Sequence, residues 1–134
     1  MKDFGYSGTP LVKKLGIKPG ARIAFISAPP VFDSLLGKVP AEARRVSRGD
    51  IDFALLFVKS KSELVKRFTG ARDRLVADGM LWVAWPKKSS GIASDLSEGI
   101  VRDYGLECGL VDVKVCAIDD TWSGLKFVRR LKDR

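Results

Sequence analysis

The sequence predicts an α/β fold in three layers, with helices on both faces of a mostly parallel β-sheet. Short apolar runs alternate with stretches whose apolar residues recur every three or four positions, so strands alternate with helices. The runs 53–58 and 80–85 are apolar throughout, as is typical of parallel strands buried on both faces. Segments 111–118 and 125–131 lie too close in the chain for a parallel crossover. These observations predict a Rossmann-like sheet that ends in an antiparallel strand.

The N-terminal half is expected to contain two short helices and two strands. A first helix is predicted between Thr9 as its N-cap and Gly16 at its C-terminal end, because these residue types suit those positions. The apolar segment 21–27 predicts a central strand, and 31–36 predicts a brief helix. Segment 43–47 carries two arginines and predicts a weak edge strand, where charge opposes pairing with another chain.

Two longer helices are expected in the second half. Ser60 and Glu63 have the spacing of a capping box at the start of a helix. Asp95 and Glu98 have the same spacing, and Gly105 is expected to end the helix that they begin. The apolar face predicted for the first of these helices consists of Leu64, Val65, Phe68, Ala71, Leu75 and Val76.

Length and hydropathy predict a single domain over residues 1–134. A chain of 134 residues can bury its own core without metal ions or disulfides. No apolar run approaches the roughly 20 residues that span a bilayer, and the first residues lack the apolar region of a signal peptide. We therefore expect a cytoplasmic protein with no membrane partner, and its oligomeric state stays open.

The composition excludes the commonest catalytic and metal-binding arrangements. The sequence has no histidine, the commonest general base and metal ligand. Cys108 and Cys116 do not have a metal-binding spacing, and Cys116 is expected to be a small core residue. We expect no metal, and the residues favour a protein that is not an enzyme.

The formal net charge of +8 indicates an anionic partner. Such an excess suits an anionic small molecule, an acidic protein surface or nucleic acid. The basic residues are spread along the chain, and no recognition-helix, zinc-finger or RNA-recognition pattern accompanies them. Nucleic acid is therefore the least favoured of these partners.

Four segments follow strands that are expected to run in the same direction. They are 28–30, 59–61, 86–91 and 119–124, and in open α/β sheets the carboxyl ends of the strands form the ligand-binding edge. Lysines, hydroxyls and backbone N–H groups in one of these turns suit a phosphate or carboxylate. A tryptophan flanked by carboxylates and a hydroxyl suits a ring or a sugar. The simpler alternative is a solvated loop beside a hairpin turn.

The candidate ligand-binding residues come from two of these segments. They are Lys87, Lys88, Ser89, Ser90, Gly91, Asp119, Asp120, Trp122 and Ser123.

The closing helix, strand and hairpin resemble the end of class I methyltransferase domains. That resemblance implies a glycine-rich turn after the first strand and an acidic residue at the end of the second, which together hold S-adenosylmethionine. Here the first turn is Ser27-Ala28-Pro29-Pro30, without glycine, and proline removes N–H donors. The second strand ends in Ser47-Arg48-Gly49-Asp50, with no clear acidic counterpart. S-adenosylmethionine is therefore not expected to bind in the usual way, and the dinucleotide fingerprint and the P-loop are absent.

Four runs resemble a bacterial family of small, Rossmann-like, methyltransferase-like proteins of unknown function. The runs are Tyr6–Leu11, Leu81–Lys88, Val113–Ala117 and Asp120–Phe127. The resemblance spans nearly the whole chain, and it supplies neither a reaction nor functional residues.

Three functional hypotheses follow. The first is a methyltransferase-like domain with a degenerate cofactor site, which binds an anionic or nucleotide-like ligand or a protein partner at the edge of the sheet. The second is an enzyme, a transferase that uses S-adenosylmethionine or another nucleotide cofactor. The third is a basic accessory protein for nucleic acid.

Overall fold

The computed structural model describes residues 10–134, which form one six-stranded sheet with helices on both faces. The strands are β1 (Arg22–Ile26), β2 (Arg44–Arg45), β3 (Ile51–Phe57), β4 (Leu75–Pro86), β5 (Leu110–Ala117) and β6 (Trp122–Arg129). Their order is β2-β1-β3-β4-β6-β5. The first four strands of this order are parallel, and β6 lies antiparallel between β4 and β5. This is the class I methyltransferase-like Rossmann fold, as predicted.

The helices divide the core into two halves, one on each face of the sheet. They are α1 (Leu11–Leu15), α2 (Phe32–Leu36), α3 (Lys61–Arg74) and α4 (Glu98–Glu107). On one face α1 and α2 pack against Trp82, whose indole N–H donates to the carbonyl of Leu15 at 2.9 Å. On the other face α3 and α4 enclose Phe68 and Phe127, whose rings meet edge to face. Both halves contain fully buried side chains, which gives the three layers.

The start of α3 confirms the predicted capping box. The Ser60 hydroxyl accepts the N–H of Glu63 at 3.1 Å, and the Glu63 carboxylate accepts the N–H of Lys59 at 2.7 Å. Asp95 also serves this helix, since its carboxylate accepts the N–H of Lys61 at 2.8 Å. These bonds satisfy N–H groups that an isolated helix leaves open.

The predicted end of α3 was wrong. The helix ends at Arg74, and Leu75 and Val76 belong to β4 instead of the apolar face of the helix. Val65 is 47% exposed, so it also lies outside that face. The strand takes Leu75 because it pairs with Ile51 of β3, and this tertiary contact overrides a helical sequence pattern.

The predicted bounds of α4 were also wrong. The helix starts after Ser97, whose hydroxyl accepts the N–H of Ile100, and Asp95 lies before it. Gly105 is inside α4 and does not end it. The glycine is there because a Cβ at this position would overlap the ring of Phe127.

The hairpin strand β6 begins at Trp122, three residues before the predicted start at 125. Trp122 pairs with Pro86 and Ser123 pairs with Trp85, so these residues are part of the sheet and not of the turn. Trp122 is consequently held by ladder pairing and has a fixed direction, which matters for the site below.

Three N-terminal predictions have different outcomes. Gly16 ends α1 with a φ of 87°, in the left-handed region that glycine adopts at least cost. The Thr9 N-cap lies outside the described residues, as does most of the run Tyr6–Leu11. The edge strand predicted at 43–47 is confirmed as β2, which pairs in parallel with β1.

Candidate functional site

A cleft of about 450 Å³ opens at the carboxyl ends of β1 and β3, and we call it the rim cleft. Its volume lies in the range of about 300–1,000 Å³ that is usual for small-molecule sites. The position agrees with the edge at which open α/β sheets bind ligands. The lining comes from residues 27–30 after β1, Phe57 at the end of β3, Lys59 after β3, Glu63 in α3, Ile92 before α4, and Trp122 in β6.

One wall of the rim cleft is aromatic. The rings of Phe57 and Trp122 meet edge to face with their centroids 5.0 Å apart, and Phe32 packs on Phe57 from below at 5.1 Å. Trp122 is 7% exposed, so most of the indole is core and a strip of it faces the cleft. This wall is rigid and apolar, and it suits contact with a flat ring.

The charges of the rim cleft come from Lys59 and Glu63. Lys59 is exposed, and none of the ion pairs formed within residues 10–134 includes its ammonium group. Glu63 already accepts the backbone N–H of Lys59, which fixes its carboxylate at the start of α3. The cleft therefore presents a cation without a carboxylate partner.

The turn after β1 is built without glycine. Ser27 has a φ of 60°, a left-handed conformation that is uncommon for residues other than glycine. Pro29 and Pro30 have no N–H group, and the carbonyl of Pro29 accepts the N–H of Phe32 at 3.0 Å. This turn therefore offers a ligand few backbone donors.

The basic turn after β4 lies beside the turn between β5 and β6. The N–H of Lys87 donates to the carbonyl of Thr121 at 2.8 Å. The Ser90 hydroxyl donates to the carbonyl of Lys87 at 2.6 Å and accepts the N–H of Ile92 at 3.2 Å. Ser90 is thus used inside the turn, and its partner Ile92 brings the end of this turn to the rim cleft.

The charge of Lys87 acts on Lys14 of α1. Partial burial lowers the pKa of Lys14 in α1, and the nearby ammonium groups of Lys114 and Lys87 lower it further. Neighbouring like charges destabilise the charged form of Lys14. The basic turn therefore adds positive potential next to the rim cleft instead of lining it.

The remaining candidates of the basic turn are accessible. Lys88 and Ser89 are exposed in a single turn of 3₁₀-helix, and Gly91 follows with a φ of 80°. None of these three lines the rim cleft.

The candidate residues around the β5–β6 turn do not lie together in one site. One carboxylate oxygen of Asp119 accepts the N–H groups of Thr121 and Trp122, both at 2.8 Å, so it shapes the turn. Asp120 is exposed, and Ser123 points to the sheet face opposite Trp122 because side chains alternate along a strand. Of the nine candidate residues, Trp122 is the one that lines the rim cleft.

Several lining residues were missed by sequence reasoning. Phe57 has no signal of its own, since it ends a run that is apolar throughout. Lys59 carries a signal, because segment 59–61 is expected at this edge, and Glu63 belongs to the capping box predicted directly after it. Ile92 follows the basic turn and could have been included with it.

Metal-binding and membrane features are not found in the described part of the chain. Residues 10–134 contain no group of three or more side chains that could hold a metal ion. They also contain no helix long and apolar enough to cross a bilayer. Cys108 and Cys116 are both free and partly exposed, and burial raises the pKa of the Cys116 thiol.

Neither a family model nor a curated protein matches this sequence. The resemblance to an uncharacterised bacterial family therefore stays a prediction. Solved structures, in contrast, are similar to nearly the whole chain.

Two of these similar structures are SAM-dependent methyltransferases, and a third is a protein with bound S-adenosyl-L-methionine. A SAM-dependent methyltransferase from Aquifex aeolicus has a TM-score of 0.65 at 12% identity, covering 87% of this chain and 86% of that one. Fibrillarin from Aeropyrum pernix, with natively bound S-adenosyl-L-methionine, has a TM-score of 0.61 at 15% identity, covering 93% and 71%. A TehB-like SAM-dependent methyltransferase from Corynebacterium glutamicum has a TM-score of 0.58 at 12% identity, covering 94% and 90%. Identities this low show the fold alone.

Proposed function

We propose that this chain is a methyltransferase-like domain that binds an anionic, nucleotide-like ligand in the rim cleft and does not transfer a methyl group. The observation that carries the proposal is the rim cleft itself, whose lining combines the aromatic pair of Phe57 and Trp122 with Lys59. The cleft lies at the ligand-binding edge of the fold.

The charges support an anionic ligand. Lys59 has no carboxylate partner within the described chain, and Glu63 is held by a backbone N–H. The basic turn adds Lys87 and Lys88 next to the cleft. A phosphate gains charge-assisted hydrogen bonds from such groups, and the Phe57–Trp122 wall gives a base or another flat ring an apolar surface.

The same surroundings do not fit S-adenosylmethionine. In the methyltransferases that the chain resembles, a glycine-rich turn and an acidic residue after the second strand hold this cofactor. Here Pro29 and Pro30 remove two donors from the turn, and β2 leads into Val46, Ser47 and Arg48. A sulfonium is cationic, and cations at this edge oppose its binding.

A methyl transferase that uses S-adenosylmethionine is the second candidate, and the sheet topology favours it. The order of the strands and the antiparallel β6 are those of the fold whose solved members bind that cofactor. The two candidates differ in the ligand that they accept, so one binding experiment separates them.

The experiment is a thermal-shift series on the purified protein with ADP, S-adenosylmethionine and S-adenosylhomocysteine. A ligand at about 100 times its Kd adds roughly 2.7 kcal/mol to the free energy of unfolding, which moves the Tm by several degrees. We expect ADP to raise the Tm and the methyl donor and its product to leave it unchanged. A rise with the methyl donor and none with ADP would replace the proposal with the enzyme.

Lysine-to-alanine substitutions test whether ADP binds in the rim cleft. Lys59→Ala is expected to weaken ADP binding, and Lys87→Ala combined with Lys88→Ala is expected to weaken it further through lost potential. Lys61→Ala is the matched control, since Lys61 is exposed, has the same charge and does not line the rim cleft. If none of these changes alters the Kd, or if Lys61→Ala has the largest effect, the rim cleft is not the site.

A further inference from the structure

A second groove, of about 560 Å³, lies beside the carboxyl half of β1 on the face that α3 covers, and we call it the arginine groove. It exists because β2 is short. β2 pairs only with Arg22 and Ile23, so residues 24–26 of β1 pair with β3 alone and their other edge is open. The groove meets the rim cleft only at Ser27, which lines both.

The arginine groove concentrates positive charge from two elements. Arg45 comes from β2, while Arg67 and Arg74 come from α3, and no carboxylate is among the described residues that line the groove. Arg45 is paired with Asp33 and lies over the ring of Phe25 at 4.7 Å. Its charge is therefore partly compensated. The other two arginines form no ion pair within residues 10–134.

Arg67 is exposed and forms no ion pair with any residue of the described range. Arg74 is partly buried, and its Nε donates to the carbonyl of Gly49 at 2.7 Å. Its Nη2 is buried and has no hydrogen-bond partner in residues 10–134. A buried donor without a partner is costly, and native structures contain few of them, so each one asks for an explanation.

We propose that the arginine groove binds a phosphate group, with Arg67 and Arg74 as its donors. Arg67 is exposed, and a phosphate oxygen would satisfy the unpaired Nη2 of Arg74 once that partly buried side chain turns to bring the nitrogen into the groove. The planar guanidinium matches phosphate geometry better than an ammonium does. The floor of the groove includes Ala24, Ile26 and Val46, which gives the rest of the ligand an apolar surface.

The phosphate belongs to a nucleotide or to a strand of nucleic acid. Both present the same group, and the net charge of +8 favours either. The site is distinct from the rim cleft, because its cations are on β2 and α3 and none of them lines that cleft. It therefore goes beyond the proposed function, and each of the two sites can fail without the other.

The test compares two charge reversals on neighbouring residues of α3. Arg67→Glu removes a donor of the groove, and Lys66→Glu makes the same change of net charge at an exposed residue that does not line it. Both are introduced into Lys59→Ala protein, in which the rim cleft is impaired. ADP and a short single-stranded RNA are then titrated calorimetrically at fixed salt, and the Tm of each variant is checked.

We expect Arg67→Glu to raise the Kd of at least one of the two probes, ADP or RNA, about tenfold or more, as loss of a charge-assisted hydrogen bond does. Lys66→Glu should change the Kd less than about threefold, because an exposed charge that does not line the groove is screened by solvent and salt. An effect on ADP identifies a nucleotide, and an effect on RNA alone identifies nucleic acid; both support the site. Equal losses with Lys66→Glu, or no binding of either probe before the reversals, would overturn it.

Discussion

The two ends of the sheet differ in whether their charged side chains form ion pairs. At the amino ends of β1 and β3, Asp52 accepts three hydrogen bonds from Arg22: from the backbone N–H and from Nε at 2.9 Å, and from Nη2 at 3.1 Å. The cavity at this end is about 200 Å³. At the carboxyl ends the rim cleft is about 450 Å³, and the cation that lines it, Lys59, has no carboxylate partner among the described residues.

This difference separates stability from binding. The Arg22 guanidinium, by hydrogen bonding, holds the pKa of the Asp52 carboxyl below its ordinary value, so the pair stabilises the folded state at neutral pH. An unpaired lysine contributes no such term and leaves its charge for a ligand. Residues at the amino ends should therefore affect unfolding, and cations at the carboxyl ends should affect affinity.

The largest effect is expected at Trp122. This residue belongs both to the core and to the wall of the rim cleft, so its substitution should affect both stability and binding. Trp122→Ala is expected to lower the free energy of unfolding by about 3–5 kcal/mol, as loss of a buried aromatic ring does, and to abolish ADP binding. Urea denaturation and calorimetry measure the two effects. Trp122→Phe, which keeps a ring against Phe57, should retain most of both. A loss of stability below about 1 kcal/mol would show that the indole is not packed as described.

Gly105→Ala is expected to have the next largest effect. It should lower stability without changing ligand binding. The added Cβ would overlap the ring of Phe127, which is 0% exposed and has no room to move. Overpacking of this kind costs about 1–3 kcal/mol. Since α4 does not line the rim cleft, the Kd for ADP measured well below the Tm should be unchanged. A neutral or stabilising outcome would mean that α4 does not pack this closely on β6.

Asp52→Asn should have a smaller effect that depends on pH. The side chains of the Arg22–Asp52 pair are 35% and 34% exposed, so solvent screening reduces the stabilisation to about 1 kcal/mol at neutral pH. A carboxyl with a lowered pKa stabilises the fold above its unfolded pKa of about 4 and loses this effect as the pH falls through the folded value. Urea titrations should show the variant weaker at pH 7 and equal to the parent in strong acid. The same deficit at both pH values would contradict the ion pair.

Lys59→Ala should have the smallest effect on stability and sharpen the comparison. An exposed lysine without an ion pair is expected to change the free energy of unfolding by less than about 0.5 kcal/mol. Its removal should nevertheless weaken ADP binding, whereas Asp52→Asn should not. Calorimetric titration of the two variants side by side measures this. A destabilised Lys59→Ala, or an Asp52→Asn with reduced affinity, would end the distinction between the two ends.

Much of the fold followed from local patterns, because the central strands β1, β3 and β4 contain apolar runs and several turns carry their own chemistry. The capping box of Ser60 and Glu63 and the left-handed Gly16 are local features, and both are confirmed. The predictions that were wrong depended on tertiary contacts. Gly105 lies inside α4 because of a ring on β6, and the sequence around a glycine does not reveal a neighbour from a distant strand.

The candidate site was less predictable for a related reason. The edge of the sheet at which the rim cleft lies followed from strand direction, and Trp122 does line this cleft. The direction of each side chain depends on strand alternation, which places Ser123 on the opposite face, and on turn hydrogen bonds, which occupy Asp119 and Ser90. Polar residues that look available in a sequence are thus often used by their own turns.

The most direct test of the rim cleft follows the three tryptophan indole N–H signals in a ¹⁵N-correlated NMR spectrum during an ADP titration. Trp122 lines the rim cleft, while Trp82 does not line it and its indole N–H is bonded to the carbonyl of Leu15 inside the same half of the core. We predict that ADP shifts the Trp122 signal in a saturable way and leaves Trp82 in place, and that S-adenosylhomocysteine shifts neither. A Trp122 signal that responds to S-adenosylhomocysteine and not to ADP would contradict the proposed function.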